Sequence, residues 1–431
     1  MSGLPLKGVA KGTFVFETIK ERWPKIVVKI VDQIHRLRTS LVARVGEEGD
    51  ADIKLINSHL SEMRYRMMTD KPLTDFTDNL SDVDIWNKYL AELRKTNGED
   101  QVTWYKSDWL LVECYLYRKI AEFFALTKHL QEYDCFASQK QNSFIDCISP
   151  ITKIAEHCLL QSSRTSKDEV KTALHEMIEV CLWGNVCDLS LSGGDNHSAH
   201  ESPIDLVTQV RDNILANDID VVVDHLLDSA SGEIHIVADN ASIELVGDLA
   251  LAAFLLDHDL ATRVVFHLKI RPWFVSDTTI DDFSWTIEMM LGSKDGALKK
   301  FGSCLMERLN ENRLKFEAHD FWTYGFPYFK MAEVSPDLYQ KLSRAKLTIF
   351  KGDLNYRKLV GDCDWKYSEP FKNVLRGFLP SPLLALRTLK AETVAGLADD
   401  VVGSIKEKYG AENKKWMVTG EYAVAQWANR A

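Results

Sequence analysis

The sequence lacks long hydrophobic runs and paired cysteines. Its most apolar helical stretch, LALAAFLL, is far shorter than the ~20 residues needed to cross a bilayer. The first residues, MSGLPLKGVAKGTF, contain no apolar region of the kind that a secretory signal needs. The 8 cysteines are scattered and form no CxxC pair, the usual spacing for zinc or redox sites. We expect reduced structural thiols, no membrane partner and a location in the cytosol or nucleus.

An excess of basic residues is also missing. The chain has 52 Lys and Arg against 63 Asp and Glu, which gives a formal net charge of -11. A surface that binds nucleic acid must neutralise phosphates, so this sign argues against nucleic acid as a partner. The same field repels a phosphate ester. A phosphate-binding site in this chain therefore needs a metal ion and a few placed Lys or Arg to reverse the potential locally.

The bulk composition is that of a folded protein. Hydrophobic residues make up 45% and charged residues 27% of the 431 positions. This length suits two or three domains of ~150 residues, or one large α/β unit with a helical addition. We find no internal repeat, no low-complexity tract and no GxGxxG turn after a predicted strand.

Hydrophobic periodicity divides the chain into two parts. Apolar residues recur at helical spacing through residues 1–191, which predicts a mainly helical N-terminal region with a possible cap over a site. The stretch SGGDNHSAHESP at 192–203 has the composition of a loop or hinge. Residues 204–431 alternate short β-branched runs with helices. That alternation predicts an α/β domain with a doubly wound, mostly parallel, Rossmann-like sheet.

Acidic residues follow several of the predicted strands, at Asp239, Asp277, Asp320 and Asp353. Ligands of open α/β sheets bind outside the carboxyl ends of the strands, so a site is expected there. An Asp-Asn pair alone is more often a helix cap or a turn.

Together, however, Asp239, Asn240 and Asp277 offer a set of oxygen ligands that suits Mg²⁺ or Mn²⁺. Lys390 could supply a cation for phosphoryl oxygens, and Lys269 is a second candidate. His235 and His267 lie within strand runs and are more often core residues than ligands.

Four segments in order, VADNASIEL, HLKIRPWFVSD, KGDLNYRKL and LRTLK, resemble the metal-dependent damage-control phosphatases, once called domain of unknown function 89. The RTxK signature at 387–390 is similar to that of the subfamily which includes the proteins called acidic residue methyltransferase. Further similarity lies in MRYRMMTDKPL, WLLVECYLYR and WGNVCDLSL, so the resemblance covers nearly the whole chain.

The resemblance implies roles for particular residues. The family's metal ligands fall on Asp239, Asn240 and Asp277, and its phosphate-binding lysine falls on Lys390. Its substrate-contacting loop matches five consecutive residues: Asp353, Leu354, Asn355, Tyr356 and Arg357. Asp188 matches a residue of a helical cap, although an Asp before an apolar run is often an ordinary helix cap.

One departure is Ser242, which stands where relatives commonly have Gly. A second is the pair Thr278 and Thr279, which stands in place of an apolar β-branched residue.

These inferences predict a phosphatase that acts on small phosphorylated metabolites through an aspartyl-phosphate on Asp239. The resemblance implies sugar phosphates such as fructose 1-phosphate as substrates, and Mn²⁺, Co²⁺, Ni²⁺ or Mg²⁺ as the cofactor. One alternative is an S-adenosylmethionine-dependent methyltransferase of protein carboxylates. Another is a non-enzymatic interaction protein, suggested by the aromatic helical first half.

Overall fold

The computed structural model describes residues 3–184, 207 and 209–430. The predicted hinge at 192–203 and the cap residue Asp188 lie outside these residues, so both stay predictions, as does the division into domains. None of the helices in the described ranges is long and apolar enough to span a membrane. The cysteines in those ranges form no disulfide, and all but one are buried.

The first half of the chain is helical, as the periodicity predicts. Its helices are α1 (Phe14–Glu17), α2 (Trp23–Val45), α3 (Glu47–Met68), α4 (Val83–Asn97), α5 (Trp109–Ala125), α6 (Ala137–Asp146), α7 (Ile148–Gln161) and α8 (Lys167–Trp183), with a π-helical turn at Thr18–Arg22 and a 3₁₀ turn at Glu99–Gln101. Local chemistry explains where some of them begin. Ser166 and Glu169, for example, form a reciprocal capping box at the start of α8.

The second half alternates strands and helices. The strands, numbered along the whole chain, are β1 (Leu4–Pro5), β2 (Ile214–Asn217), β3 (Gly232–Val237), β4 (Ala261–Leu268), β5 (Leu314–Ala318), β6 (Leu347–Lys351), β7 (Cys363–Asp364), β8 (Leu383–Thr388) and β9 (Ala423–Ala428). The helices are α9 (Ile219–Asp228), α10 (Ile243–Asp257), α11 (Ile280–Leu291), α12 (Gly296–Asn310), α13 (Met331–Val334), α14 (Pro336–Leu342), α15 (Gly352–Val360), α16 (Phe371–Val374) and α17 (Asp399–Tyr409). Short 3₁₀ turns lie at Arg211–Asn213, Asp320–Thr323, Tyr328–Lys330 and Lys415–Val418.

The central sheet has seven strands in the order β2-β9-β8-β6-β3-β4-β5. Neighbouring strands are parallel except for β8 and β9, which are antiparallel. From β3 the chain adds β4 and β5 on one side, and then β6 and β8 on the other. The strand order therefore reverses between β3 and β6, which is the switch point where open α/β sheets bind ligands. This confirms the predicted fold class.

Both faces of the sheet are buried. Along β8, Leu384 and Leu386 pack into one hydrophobic core, whereas Leu383 and Ala385 pack into the other. This alternation follows from the two-residue period of a strand. Because helices cover both faces, the strands are apolar on both sides, as expected for a parallel sheet.

The helices of the first half divide between two cores. Residues of α7 and α8 join the core on one face of the sheet, next to α10. Helices α2 to α5 form a separate core, which also takes in Trp273, Phe274, Leu354 and Ala391 from the second half. These four residues lie in connections at the carboxyl end of the sheet. The helical region therefore packs directly over the edge where the site is expected.

Candidate active site

One cavity lies at the switch point, at the carboxyl ends of β3, β4, β6 and β8. Asp239 and Asn240 follow β3, and Asp277 lies in the loop after β4. Asp353 is the second residue of α15, which follows β6, and Lys390 follows β8. The full lining is Phe14, Arg22, Trp109, Glu113, Tyr117, Asp239, Asn240, Phe274, Asp277, Asp353, Leu354, Arg357 and Lys390. The structure thus brings the predicted metal ligands and the predicted phosphate-binding lysine into one place.

Backbone pairing holds the loop after β4 against the turn after β3. Asn240 and Asp277 form an isolated antiparallel bridge, and the Thr278 amide donates to the Asp239 carbonyl at 2.7 Å. Phe274 and Val275, just before Asp277, have φ values of 45° and 71°. Such angles are costly for bulky residues and persist where the surroundings enforce them. The positions of Asp239, Asn240 and Asp277 are therefore fixed together by main-chain contacts.

The Asn240 amide has a defined orientation. Its Nδ2 donates to Glu244 Oε2 at 2.9 Å and to Asp239 Oδ2 at 3.1 Å. The hydroxyl of Ser276 donates to Asn240 Oδ1 at 2.5 Å. An amide oxygen has two lone pairs, so one remains for a second partner. The hydrogen bonds thus fix which atom of Asn240 is the oxygen.

The three predicted ligands fit a hard divalent ion. Asp239, Asn240 and Asp277 are each at most 5% exposed. Two carboxylates and an amide oxygen in one cavity match the ligand preference of Mg²⁺ and Mn²⁺. Within the described residues, no group of three or more His, Cys, Asp and Glu side chains is placed to hold a metal ion. The fit therefore depends on the Asn240 oxygen as the third protein ligand.

Gly352 is a site residue that the sequence did not reveal. It begins α15 with a φ of 84°, and a Cβ atom built on it would lie 1.7 Å from Asp239 Oδ2. The Asp239 carboxylate thus occupies the space that any side chain at position 352 would need. Glycine is required here both for the left-handed backbone and for the close approach.

The substrate loop that the resemblance implies divides between the cavity and the core. Asp353, Leu354 and Arg357 line the cavity, but Asn355 and Tyr356 do not. Asn355 is fully buried, and its Nδ2 donates to the Lys351 carbonyl at 2.7 Å. The Tyr356 hydroxyl donates to the Gln426 side chain at 2.9 Å.

Asp353 links the first and last residues of the RTxK segment. Arg387 Nε donates to Asp353 Oδ1 at 2.8 Å, and the Lys390 amide donates to the same oxygen at 3.1 Å. The other guanidinium nitrogens of Arg387 donate to the carbonyls of Ala391 and Thr393. Arg387 is fully buried, so it acts within the protein, where it fixes the backbone that presents Lys390.

The second predicted cation lies beneath the cavity. Lys269 Nζ lies 3.2 Å from Asp277 Oδ2 and donates to the Ala238 carbonyl at 2.9 Å. Lys269 is 1% exposed and does not belong to the lining. Its charge therefore offsets that of Asp277 from below.

Other predicted residues lie elsewhere. Asp320 pairs with Arg271 and accepts a hydrogen bond from Ser81, away from the cavity. His235 and His267 are fully buried, and their ring nitrogens are 2.7 Å apart. Burial lowers the pKa of both imidazoles.

The backbone of Ser242 explains why its position favours glycine. Ser242 has φ 65° and ψ −136°, outside the usual regions for a residue with a Cβ. It precedes α10, and its hydroxyl accepts a hydrogen bond from that of Ser143 at 3.1 Å. The departure from the family pattern noted above therefore affects the turn that carries Asp239 and Asn240.

Fold and cavity together define the class: a doubly wound α/β protein with an oxygen-rich, acidic ligand set and a lysine at its switch point. The model of the damage-control phosphatase ARMT1-like domain matches residues 18–405. The chain belongs to this family.

The relatives agree with this assignment. The chain is 38% identical to human damage-control phosphatase ARMT1, over 98% of each chain. It is 39% identical to the protein of that name from Xenopus tropicalis, over 96% of each chain. The mouse protein is 37% identical over 97% of this chain and 96% of its own. A crystal structure of a DUF89 family protein from Pyrococcus horikoshii covers 88% of this chain and 93% of its own, with 14% identity and a TM-score of 0.40.

Membership establishes the coarse activity. The family consists of phosphatases that are metal-dependent in general, so this chain is an enzyme of that class. The methyltransferase alternative is not favoured, and an interaction protein without enzymatic activity is excluded. Small phosphorylated metabolites follow as the class of substrate.

Proposed function

We propose that the protein hydrolyses sugar phosphates such as fructose 1-phosphate through an aspartyl-phosphate formed on Asp239. The observation that carries this proposal is the meeting of Asp239, Asn240, Asp277 and Lys390 around one cavity at the switch point. Two carboxylates alone would repel a phosphate ester. Lys390 reverses part of that field, and a divalent ion held by Asp239, Asn240 and Asp277 would reverse the rest.

Asp239 is the proposed nucleophile. Its carboxylate oxygen attacks phosphorus in line, and the bond from phosphorus to the sugar oxygen breaks as the new bond forms. The leaving alkoxide takes a proton from water. A second water then attacks the acyl phosphate, which releases inorganic phosphate and restores the carboxylate. Gly352 supports this role because the missing side chain leaves room for the Asp239 carboxylate.

Asn240 and Asp277 are the other proposed metal ligands, and Lys390 is the proposed counter-charge for the phosphoryl group. Asn240 and Asp277 complete the oxygen set for Mn²⁺, Co²⁺, Ni²⁺ or Mg²⁺. When bound, such an ion supplies positive charge next to the phosphoryl oxygens. The ammonium of Lys390 offsets charge on the equatorial oxygens, where most of the stabilisation of phosphoryl transfer arises. Asp353 keeps the Lys390 backbone in place.

Hydrolysis of a panel of phosphate esters with a panel of divalent ions tests the proposal. We expect metal-dependent release of phosphate from sugar phosphates, and none from Asp239→Ala. Exposed Asp32, whose side chain pairs with Arg36, gives a matched control in Asp32→Ala. Wild-type rates in Asp239→Ala would remove this residue from the mechanism.

Trapping of the intermediate tests the covalent step separately. Protein quenched during turnover should carry a phosphoryl group that hydroxylamine removes. Active protein that never yields such a species would instead favour direct attack by water. Calorimetry with S-adenosylmethionine addresses the methyltransferase alternative, because a phosphatase has no need to bind it.

A further inference from the structure

The helical region contributes a wall to the cavity. Phe14, Arg22, Trp109, Glu113 and Tyr117 line it from the first half of the chain, and Phe274 adds a ring from the loop before Asp277. The rings contact one another: Tyr117 stacks on Phe274 with centroids 4.6 Å apart, and Phe14 meets Trp109 edge-on at 5.7 Å. This wall is therefore aromatic, with Arg22 as its cationic side chain.

The backbone around Arg22 departs from an ordinary helix. Residues 18–22 form a π-helical turn, in which the Trp23 amide donates to the Thr18 carbonyl. Pro24 follows directly and has no amide hydrogen for the Lys20 carbonyl, so the usual bonding pattern is interrupted here. Single π-helical turns of this kind are frequent at functional sites.

A buried contact fixes this turn to the sheet region. The indole of Trp23 donates to Glu113 Oε1 at 3.3 Å, and Arg357 donates to Glu113 Oε2 at 2.5 Å. Arg357 lies in α15, the helix that begins with Gly352, the glycine next to Asp239. The position of Arg22 relative to the ligand set is therefore set by packed side chains and not by an exposed loop.

The cationic side chains that line the cavity have different surroundings. Arg357 donates to both Asp362 oxygens at 3.0 and 2.9 Å and to Glu113, and it stacks on Trp109 at 3.8 Å. It is 3% exposed, so its donors are committed to the protein. Lys390 lies beside Asp353 at the phosphate end. Arg22 also has a partner within the protein, but it is half-buried, and its side chain lines the cavity as part of the aromatic wall.

We propose that Arg22 determines substrate specificity by binding the hydroxyl groups of the sugar, while the aromatic wall packs against its carbon skeleton. This inference rests on the proposed phosphatase function and names the residue that selects the leaving group. A guanidinium carries five donors in a planar fork, which suits neighbouring hydroxyl oxygens. Pockets with apolar walls and a few placed polar groups are typical of small-molecule sites.

The inference is tested by the ratio of kcat/KM for fructose 1-phosphate to kcat/KM for phenyl phosphate, an ester without sugar hydroxyls. We expect Arg22→Gln to lower this ratio by about 10-fold to 150-fold, the value of a lost hydrogen bond to a charged group. Arg22→Lys keeps the charge but not the fork, and should recover part of the ratio. Lys20→Gln, an exposed position in the same turn, should leave the ratio at its wild-type value.

Three other results would be informative. An equal loss on both esters would overturn the inference, because Arg22 would then act on the phosphoryl group or on the fold. An unchanged ratio in Arg22→Gln would overturn it as well. If the wild-type protein hydrolyses neither ester, the proposed function itself fails, and that failure is visible before any Arg22 variant is measured. Melting temperatures of the variants identify misfolding. If Arg22→Gln misfolds, the kcat/KM ratio of Arg22→Lys tests the inference instead.

Discussion

Two clusters of buried charge differ in their balance. In the helical region, Arg118 donates to Asp78 and Asp82 at 2.8 to 3.0 Å, and Arg271 donates to Asp82. We call these four residues the helical cluster. Burial alone would raise the pKa of Asp82, but Arg271 and Arg118 outweigh burial and lower it. Two guanidinium groups thus balance these two buried carboxylates, and Arg271 also pairs with the partly exposed Asp320 at 3.3 Å.

The second cluster lies behind the candidate site and is acid-rich. Lys351 donates to Asp248 at 2.6 Å and lies 3.5 Å from Glu244, whose other oxygen accepts from Asn240. We call Glu244, Asp248 and Lys351 the sheet cluster. Burial raises the pKa of Glu244 to about 7 and also raises that of Asp248, although Lys351 opposes both shifts.

The two clusters differ in their ratio of cations to acids. We infer that the helical cluster supports the fold, whereas the sheet cluster serves the candidate site. A buried, balanced set of ion pairs holds its partners in one geometry, and breaking it leaves an uncompensated charge. The helical cluster has this form, and through Arg271 it holds the loop that carries Asp277. The sheet cluster has one cation for two acids, next to a proposed metal ligand. An acid-rich surrounding of this kind favours a bound cation.

Loss of a metal ligand should show the largest effect, and it should appear in activity. Asp277→Ala removes a carboxylate from the ligand set, and a metal ion contributes several kcal/mol to phosphoryl transfer. We expect metal-dependent hydrolysis to fall by more than about 10³-fold. The fold should persist, since the Asp277 backbone contacts remain, but its stability should fall because buried Lys269 loses its carboxylate partner. Steady-state rates and circular dichroism measure the two properties.

Asp320→Ala is the matched control for this variant. Asp320 follows β5 by two residues, as Asp239 follows β3, but it lies outside the cavity lining. We expect its rate to fall by less than about 10-fold, since even outer partners of metal ligands are worth 10-fold to 100-fold. Wild-type activity in Asp277→Ala would contradict the proposed difference between the clusters, because the sheet cluster would then not lie next to a functional metal site.

Disruption of the helical cluster should lower the stability of the protein. Asp82→Ala leaves Arg118 and Arg271 buried without their shared carboxylate. We expect the free energy of unfolding to fall by about 3 to 5 kcal/mol. Urea unfolding of the metal-free protein measures it. In the exposed pair of Arg36 and Asp32, Asp32→Ala should cost less than about 1 kcal/mol. An equally small cost for Asp82→Ala would contradict a supporting role.

Much of the fold is predictable from the sequence because the local patterns agree with the sheet. Short β-branched runs that alternate with helices predict a parallel sheet, and the aspartates at strand ends predict its ligand-binding edge. The strand order is not predictable, since hydrogen bonding between distant segments sets it. The antiparallel β9, for example, lies between β2 and β8 without any local signal.

The sequence predicts the residues on the sheet side of the candidate cavity but not those on its helical side. Asp239, Asn240, Asp277 and Lys390 follow strands, so their sequence context indicates where they lie. Arg22, Phe14, Trp109 and Tyr117 come from more than a hundred residues upstream of Asp239, and tertiary packing alone brings them to the cavity.

Helical geometry explains the division of the substrate loop. Residues 353–357 belong to α15, so Asp353, Leu354 and Arg357 lie on one face, whereas Asn355 and Tyr356 lie on the other. The resemblance names this segment as a whole, but only the structure shows which of its side chains reach the cavity. Contact of Asn355 and Tyr356 with a substrate stays a prediction.

The smallest effect concerns pH and would sharpen the contrast between the clusters. Because the pKa of Asp82 is lowered in the folded state, its contribution is fully present above the unfolded value of 3.8 and is lost as pH falls through the folded value. The difference in unfolding free energy between the wild-type protein and Asp82→Asn should therefore stay constant from pH 5 to pH 8. Below pH 4 it should shrink by at most about 1.4 kcal/mol per pH unit. A difference that changes between pH 5 and pH 7 would mean that Asp82 binds a proton there, as expected for a carboxyl whose burial outweighs its cationic partners. The helical cluster would then titrate like the sheet cluster, and the electrostatic argument for assigning different roles to the two clusters would fail.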